Sequence, residues 1–159
     1  MKGLLAFAFA STLVLSAPSQ AASQPSPLAG QWSLDTSRMP IPAETRPKRV
    51  TIAFEDAGSN RLSMDVVIVY ADGAEVHSKG TAPLDGTPIA VEGSPEADAA
   101  AMKRPEPRVL VLGLSKGGAP ASTRVYTVAP DGKTMTETMS ALGSDGRPSM
   151  RTNQFTRSL

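Results

Sequence analysis

The chain has 159 residues, no Cys, only 4% aromatic residues, and 16 basic against 15 acidic side chains. The absence of Cys excludes disulfides, a thiol nucleophile and thiolate metal sites. The charges are scattered along the chain rather than clustered, which argues against binding to nucleic acid or to an anionic membrane surface.

The first 21 residues have the pattern of a secretory signal peptide. Lys2 precedes the apolar run GLLAFAFASTLVL, and the small residues Ser19 and Ala21 follow it. This run is too short for a transmembrane helix, which needs about 20 apolar residues. We therefore predict cleavage after Ala21, export to a periplasm or to the medium, and no stable insertion into a membrane. Removing Lys2 leaves 15 basic and 15 acidic residues, so the exported chain is formally neutral.

The remaining chain is predicted to form one domain behind a short leader. Residues 22–28, ASQPSPL, are polar and contain proline, so we expect a flexible leader. Residues 29–159 are sufficient for a single core but not for two domains. Residues 35–48, DTSRMPIPAETRPK, carry three prolines that disfavour helix before them, and we expect an extended loop.

From residue 50 onward, apolar and polar residues alternate with a period of two, which is typical of half-buried strands. The pattern is clear in VTIAFE (50–55), in LSMDVVIVY (62–70) and in TMTETMS (134–140). In the last of these, Met135 and Met139 flank Glu137 while threonines occupy the other face. The segment VLVLGL (109–114) is apolar on both faces, so it is either a strand covered on both sides or one that faces a cavity.

Turn signals separate these strands at short intervals. Asp-Gly occurs at 72–73, 85–86, 131–132 and 145–146, and DAGSNR (56–61) and KGGAP (116–120) add two more turns. Asp-Gly between alternating segments indicates a hairpin, because Gly accepts a positive φ without steric cost. Sequential hairpins predict an all-β, antiparallel up-and-down barrel of about eight to ten strands, which hides its edges by closing.

Residues 94–104, SPEADAAAMKR, carry both helix and strand signals. Ser94 is a good N-cap, Pro95 suits the first helical position, and the charges match a helix dipole. We favour one helical turn near 95–99 followed by a short strand, and the choice between helix and strand stays open.

The two ends of the predicted barrel carry a family resemblance. The sequence GQW at 30–32 opens the first strand, and Arg157 lies in the closing segment NQFTRSL. This pattern resembles the lipocalin and fatty-acid-binding superfamily, the calycins, in which a Gly-x-Trp motif places the Trp across the barrel floor under a basic residue of the last strand. The resemblance implies structural roles for Gly30, Trp32 and Arg157. The chain also resembles small exported bacterial proteins of uncharacterised function with DGK turns, a likeness that implies the barrel and supplies no activity.

The residue inventory offers little chemistry for an enzyme. His77, the only His, lies between Glu75 and Lys79 on a polar strand face, where a solvated surface role is the simplest interpretation. Asp65 lies in an apolar strand, but its alternation with Met64 predicts the outer face. The Asp residues match no calcium loop. The sequence GLSKG at 113–117 has the G-x-S-x-G spacing, but it fits a strand that runs into a turn rather than the strand-to-helix elbow that exposes a nucleophilic Ser. We expect no enzyme activity, no cofactor and no metal site.

Two functions remain open at this stage. The first is a binding module that holds one small hydrophobic molecule, because barrels of this size either fill their interior or hold a small ligand. Its predicted ligand-binding residues are Met64, Ile68, Tyr70, Val111, Tyr126, Met135 and Met139. The proline-bearing loop at 39–47 would then cover the mouth as a lid. The alternative is a structural or protein-interaction barrel with a filled core; the sequence identifies no protein partner.

Overall fold

The computed structural model describes residues 26–158. The predicted signal peptide and most of the predicted leader lie outside these residues. The last part of the leader does not extend freely: Ser26 and Leu28 are buried at the base of the barrel.

Residues 26–158 form ten antiparallel strands and two 3-10 turns, which confirms the predicted all-β up-and-down barrel. The first half contains β1 (Gly30–Leu34), the 3-10 turns Thr36–Arg38 and Ala43–Thr45, β2 (Arg49–Asp56), β3 (Arg61–Val69), β4 (Glu75–Pro83) and β5 (Asp85–Ala90). The second half contains β6 (Ala99–Glu106), β7 (Val109–Lys116), β8 (Ala119–Val128), β9 (Thr134–Leu142) and β10 (Pro148–Arg157). None of the helical turns between residues 26 and 158 is long and apolar enough to cross a bilayer.

The strands form one sheet in the order β4-β3-β2-β1-β10-β9-β8-β7-β6-β5. The first strand therefore lies between the second and the last, and Trp32 is directly opposite Arg157 in the β1–β10 register. The two terminal strands of the sheet, β4 and β5, meet at a seam where a bridge between Lys79 and Glu92 joins the two sides. The barrel is thus nearly closed.

Alternation along each strand sends one set of side chains inward. On β2, Ile52 and Phe54 are buried, and on β3 Leu62 and Met64 are buried, as the period-two pattern predicts. Such apolar side chains fill the lower half of the interior. Phe54 and Tyr126 pack edge to face there, with 5.7 Å between their ring centroids.

The barrel floor is built around Trp32, which is fully buried. Its indole N–H donates to the carbonyl oxygen of Leu28 at 2.9 Å, and the guanidinium carbon of Arg157 lies 4.1 Å from its ring centroid. Arg157 also donates to the carbonyl oxygens of Pro27, Ala29 and Gly132. The Arg157 side chain therefore holds three parts of the floor together: the segment before β1, the Trp32 ring and the β8–β9 turn.

The Asp-Gly hairpins form where the sequence places them. Asp72, Asp131 and Asp145 each accept the backbone N–H of the residue two positions later, and the glycine that follows each Asp has a positive φ. Asp85 does the same at the start of β5. These carboxylates are explained by the turns themselves.

Two local expectations differ from the structure. The loop at 35–48 is not fully extended, because Asp35 caps a 3-10 turn by accepting from the Ser37 backbone N–H, and a second turn follows Pro42. The expected helical turn near 95–99 is absent from the described segment, where Ser94 accepts from the N–H groups of Glu96 and Ala97 in a bend. Ser94 therefore caps these N–H groups as predicted. However, β6 begins at Ala99, and its pairing with β7 uses the backbone groups that a helix would need.

Candidate functional site

The upper half of the barrel holds a cavity of about 520 Å³. Its wall on β2 to β7 is apolar, and six representative lining residues are Ile52, Val66, Ile68, Ile89, Leu112 and Leu114. The volume lies in the range of about 300–1,000 Å³ that is usual for small-molecule sites. The barrel therefore has a filled floor and an open, mainly apolar upper chamber.

Two loops contribute to the mouth of this chamber. Met39, Ile41 and Pro47 of the proline-bearing loop line the cavity, and Met39 is buried. Arg46 holds this loop in shape by donating to the carbonyl oxygens of Ser37 and Ile41. The β5–β6 loop adds a second group of lining residues, Ser94, Pro95 and Glu96.

The structure places four of the seven predicted ligand-binding residues at the cavity: Met64, Ile68, Tyr70 and Tyr126. The other three lie elsewhere. Val111 alternates with the inward-facing Leu110 and Leu112, so its side chain lies on the outer face of β7. Met135 and Met139 point inward and are buried, but they pack into the core and do not line the chamber.

A buried polar cluster on β8, β9 and β10 forms the opposite wall, and apart from Tyr126 its residues were not among the predicted ligand-binding residues. Its centre is Glu137, only 2% exposed. The Glu137 carboxylate accepts from Arg124 at 2.8 Å, from the Tyr126 hydroxyl at 2.9 Å and from the Asn153 side-chain amide at 2.6 Å. The alternation of Glu137 with Met135 and Met139 was the available signal, since it puts all three on one face.

Arg124 connects this cluster to the mouth. Its guanidinium pairs with Glu137 and also with Glu96 of the β5–β6 loop, and Ser122 donates to the same Glu96 carboxylate. Burial alone would lower the pKa of Arg124, but Tyr126, Glu137 and Glu96 outweigh burial and raise it, so the guanidinium stays charged. Burial, together with the charge of Glu137, raises the pKa of Tyr126 well above 10.0, so its hydroxyl remains a donor.

Two polar atoms of lining residues in this wall are buried without a hydrogen-bond partner. They are the Nε of Arg151 and the Oδ1 of Asn153. Asn153 turns its NH₂ group toward Glu137, because a carboxylate accepts and cannot donate, and this leaves its oxygen unused.

The only His lies outside the barrel. The Nε2 of His77 is 2.6 Å from the Oδ1 of Asp65, and Lys79 is 3.8 Å from the same carboxylate. Asp65 faces outward as its alternation predicts, and none of these three side chains lines the cavity. Within residues 26–158, no three His, Asp or Glu side chains are grouped as ligands for a metal ion.

Residues 26–158 thus form an up-and-down barrel of ten antiparallel strands with a Trp–Arg floor and a mainly apolar chamber. Fatty-acid-binding protein 1 of Echinococcus granulosus has this fold, with a TM-score of 0.52, 10% identity, and coverage of 84% of this chain and 98% of that chain. A point mutant of the fluorescent protein UnaG has a TM-score of 0.53 and 12% identity, with coverage of 82% of this chain and 95% of that chain. No family model matches the sequence, and no curated protein sequence matches it. At these identities the likeness shows the fold.

Proposed function

We propose that this chain is an exported carrier that holds one small, mainly apolar molecule in the upper chamber of its barrel. The observation that carries the proposal is the chamber itself, a cavity of about 520 Å³ above a filled floor. Apolar walls favour an apolar ligand, since burying its surface is worth about 25 cal/mol per Å². A barrel that served only as a scaffold would gain by filling this space, because cavities lower stability.

The proposed ligand contacts are Met64, Ile68, Tyr70 and Tyr126, which share the chamber. Met suits ligands of varied shape because its side chain is unbranched and flexible. The loop with Met39 and Ile41 would cover the bound molecule as a lid. Export rests on the sequence of residues 1–21 and on the likeness to small exported bacterial proteins with DGK turns.

The first experiment is native mass spectrometry of protein purified without detergent, before and after organic extraction. We expect a bound molecule of a few hundred daltons that extraction removes, or binding of such a molecule from a lipid mixture. A bare mass together with no uptake from the mixture would contradict it.

Strand β3 offers a matched pair of variants for the same test. Val66 lines the cavity, whereas its neighbour Val67 lies opposite His77 on the outer face. Val66→Phe should weaken ligand uptake at least tenfold by occupying the chamber, and Val67→Phe should leave it within twofold. Circular dichroism melts of both variants report whether the barrel is intact. Equal effects of the two variants would place binding outside the chamber.

Export is tested separately, by fractionating bacterial cells that express the full chain. The proposal expects a product that begins at residue 22 in the periplasm or medium. Full-length chain confined to the cytoplasm would contradict it without affecting the ligand proposal.

The alternative function, a protein-interaction barrel, has one supporting observation. Leu142 and Met150 are 66% and 74% exposed, and both point outward near the tip of the β9–β10 hairpin. If this pair docks a protein, a Leu142→Ser, Met150→Ser double variant should lose that partner in a pull-down while retaining any ligand uptake. Ligand uptake lost with the partner retained would instead rule out this role for the pair.

A further inference from the structure

The charged side chains that line the chamber are two acidic and two basic: Glu96, Glu137, Arg124 and Arg151. The lining is therefore formally neutral when the chamber is empty. Arg124 is already paired with both carboxylates. Two carboxylates of the protein itself therefore already balance the charge of Arg124.

Glu137 occupies the point where three interior donors converge, those of Arg124, Tyr126 and Asn153. Such a convergence of donors on one point is what recognises a carboxylate. Here the protein's own carboxylate fills that point, and it is nearly inaccessible to solvent. A ligand acid cannot use the same donors without displacing a fully hydrogen-bonded side chain.

From this arrangement we propose that the chamber selects uncharged ligands with a hydrogen-bonding end, such as fatty alcohols or fatty amides, over ionised fatty acids. The inference rests on the proposed carrier function and names its ligand class. An ionised head would bring the chamber to three negative charges against two positive ones. Removing an ionised carboxylate from water costs far more than removing a hydroxyl or an amide, and pairing with Arg151, whose charge solvent already stabilises, recovers only part of that cost.

Arg151 is the remaining cation of the lining, and among residues 26–158 it takes part in no ion pair. It is partly exposed, so solvent already stabilises its charge. Its buried Nε lacks an acceptor, and Oδ1 of Asn153, two residues further on the same face, lacks a donor. A neutral head group can accept a hydrogen bond from the Arg151 Nε and donate one to the Asn153 Oδ1 once the side chains of the wall have moved to reach it. A carboxylate can only accept, so it leaves the Asn153 oxygen without a donor.

The test compares three probes that share one 12-carbon tail: dodecanol, dodecanamide and dodecanoate, at pH 8, where the acid is ionised. Binding is measured by displacement of a naphthalene sulfonate dye and checked by calorimetry. The native chain should bind the alcohol and the amide at least tenfold more tightly than the acid. Equal or tighter binding of dodecanoate would overturn the inference and leave the carrier function standing. Failure of all three probes to bind would count against both.

Glu137→Gln then tests the cause. This change keeps the side-chain shape and gives the lining one net positive charge, so the affinity for dodecanoate relative to that for dodecanol should rise at least tenfold. Glu55→Gln is the matched control, because Glu55 is exposed on β2 and the change alters net charge equally. If the Glu137 variant does not fold, Glu96→Gln makes the same change in lining charge at a partly exposed position. No gain for dodecanoate in a folded variant would refute the charge argument.

Discussion

Replacing Arg157 by Met tests the barrel floor most directly. The guanidinium donates to three carbonyl oxygens, including those of Pro27 and Gly132 at 2.7 Å each, and lies over the Trp32 ring. Hydrogen bonds from charged donors contribute about 1.5–3 kcal/mol each, and the cation–π contact about 0.5–2 kcal/mol. These values do not add fully, because water reaches some of the freed carbonyl groups and Met retains part of the packing.

We therefore expect Arg157→Met to lower the free energy of unfolding by about 3–4 kcal/mol, which corresponds to a fall in Tm of about 10 °C for a domain of this size. Urea denaturation followed by fluorescence measures the change. Trp32 is the only Trp and is fully buried, so its emission reports unfolding without interference from another indole.

The matched control is Arg49→Met on the outer surface. Arg49 is exposed, and its nearest carboxylate oxygen, on Glu75, is 3.9 Å away. Surface pairs of this kind contribute about 0–1 kcal/mol, so we expect a loss below about 0.5 kcal/mol. If Arg157→Met lowers the free energy of unfolding by less than about 1 kcal/mol, or by the same amount as Arg49→Met, Arg157 does not stabilise the barrel floor as argued.

Three further predictions concern the backbone, the mouth and the pH dependence. Gly30→Ala should cost at least about 2 kcal/mol, because Gly30 has a φ of +121° and an added Cβ would collide with Arg157. Gly86→Ala is the control, because Gly86 also has a high positive φ of +96° but open space around it, and equal urea midpoints of the two variants would contradict the collision. Ile41→Ser should speed ligand release at least threefold in stopped-flow dye displacement if the proline-bearing loop covers the ligand, and an unchanged release rate would remove its role as a lid. Because the folded pKa of Tyr126 is raised, its contribution to stability is complete below about pH 10 and is lost as the pH rises above that value. A titration followed at 295 nm should therefore show the Tyr126 phenolate only as the barrel unfolds. A phenolate signal from the folded barrel that Tyr126→Phe removes would contradict the burial of this hydroxyl.

The repeating strand and turn pattern made the fold predictable from the sequence. Strands such as β3 keep one apolar face from Leu62 to Ile68, and Asp-Gly at 72–73 specifies the turn that follows. These signals are local, and each depends on a few adjacent residues. Because they are consistent along the whole chain, they predict a meander and therefore a barrel.

The interior polar cluster was not predictable in the same way, because it depends on residues distant in sequence. Charged side chains usually lie on the surface, so an inward-facing Glu137 is not expected from the sequence unless its interior partners are already known. Those partners, Arg124 and Asn153, come from the two neighbouring strands and meet it only after the sheet forms. The misplacement of Val111 has a different origin: β7 is apolar on both faces, and periodicity alone cannot say which one faces inward.

The position of β1 in the sheet affects the order in which the barrel can assemble. Hairpins join consecutive strands from β2 to β4 and from β5 to β10, but β1 also pairs with β10, near the opposite end of the described residues. Closure of the barrel must therefore wait for the last strand, and Trp32 receives its Arg157 cover only then. Pairing between distant segments is slow because loop-closure entropy opposes it. Until β10 pairs with β1, Trp32 lacks this cover, so a delay in this late step leaves apolar surface exposed to aggregation.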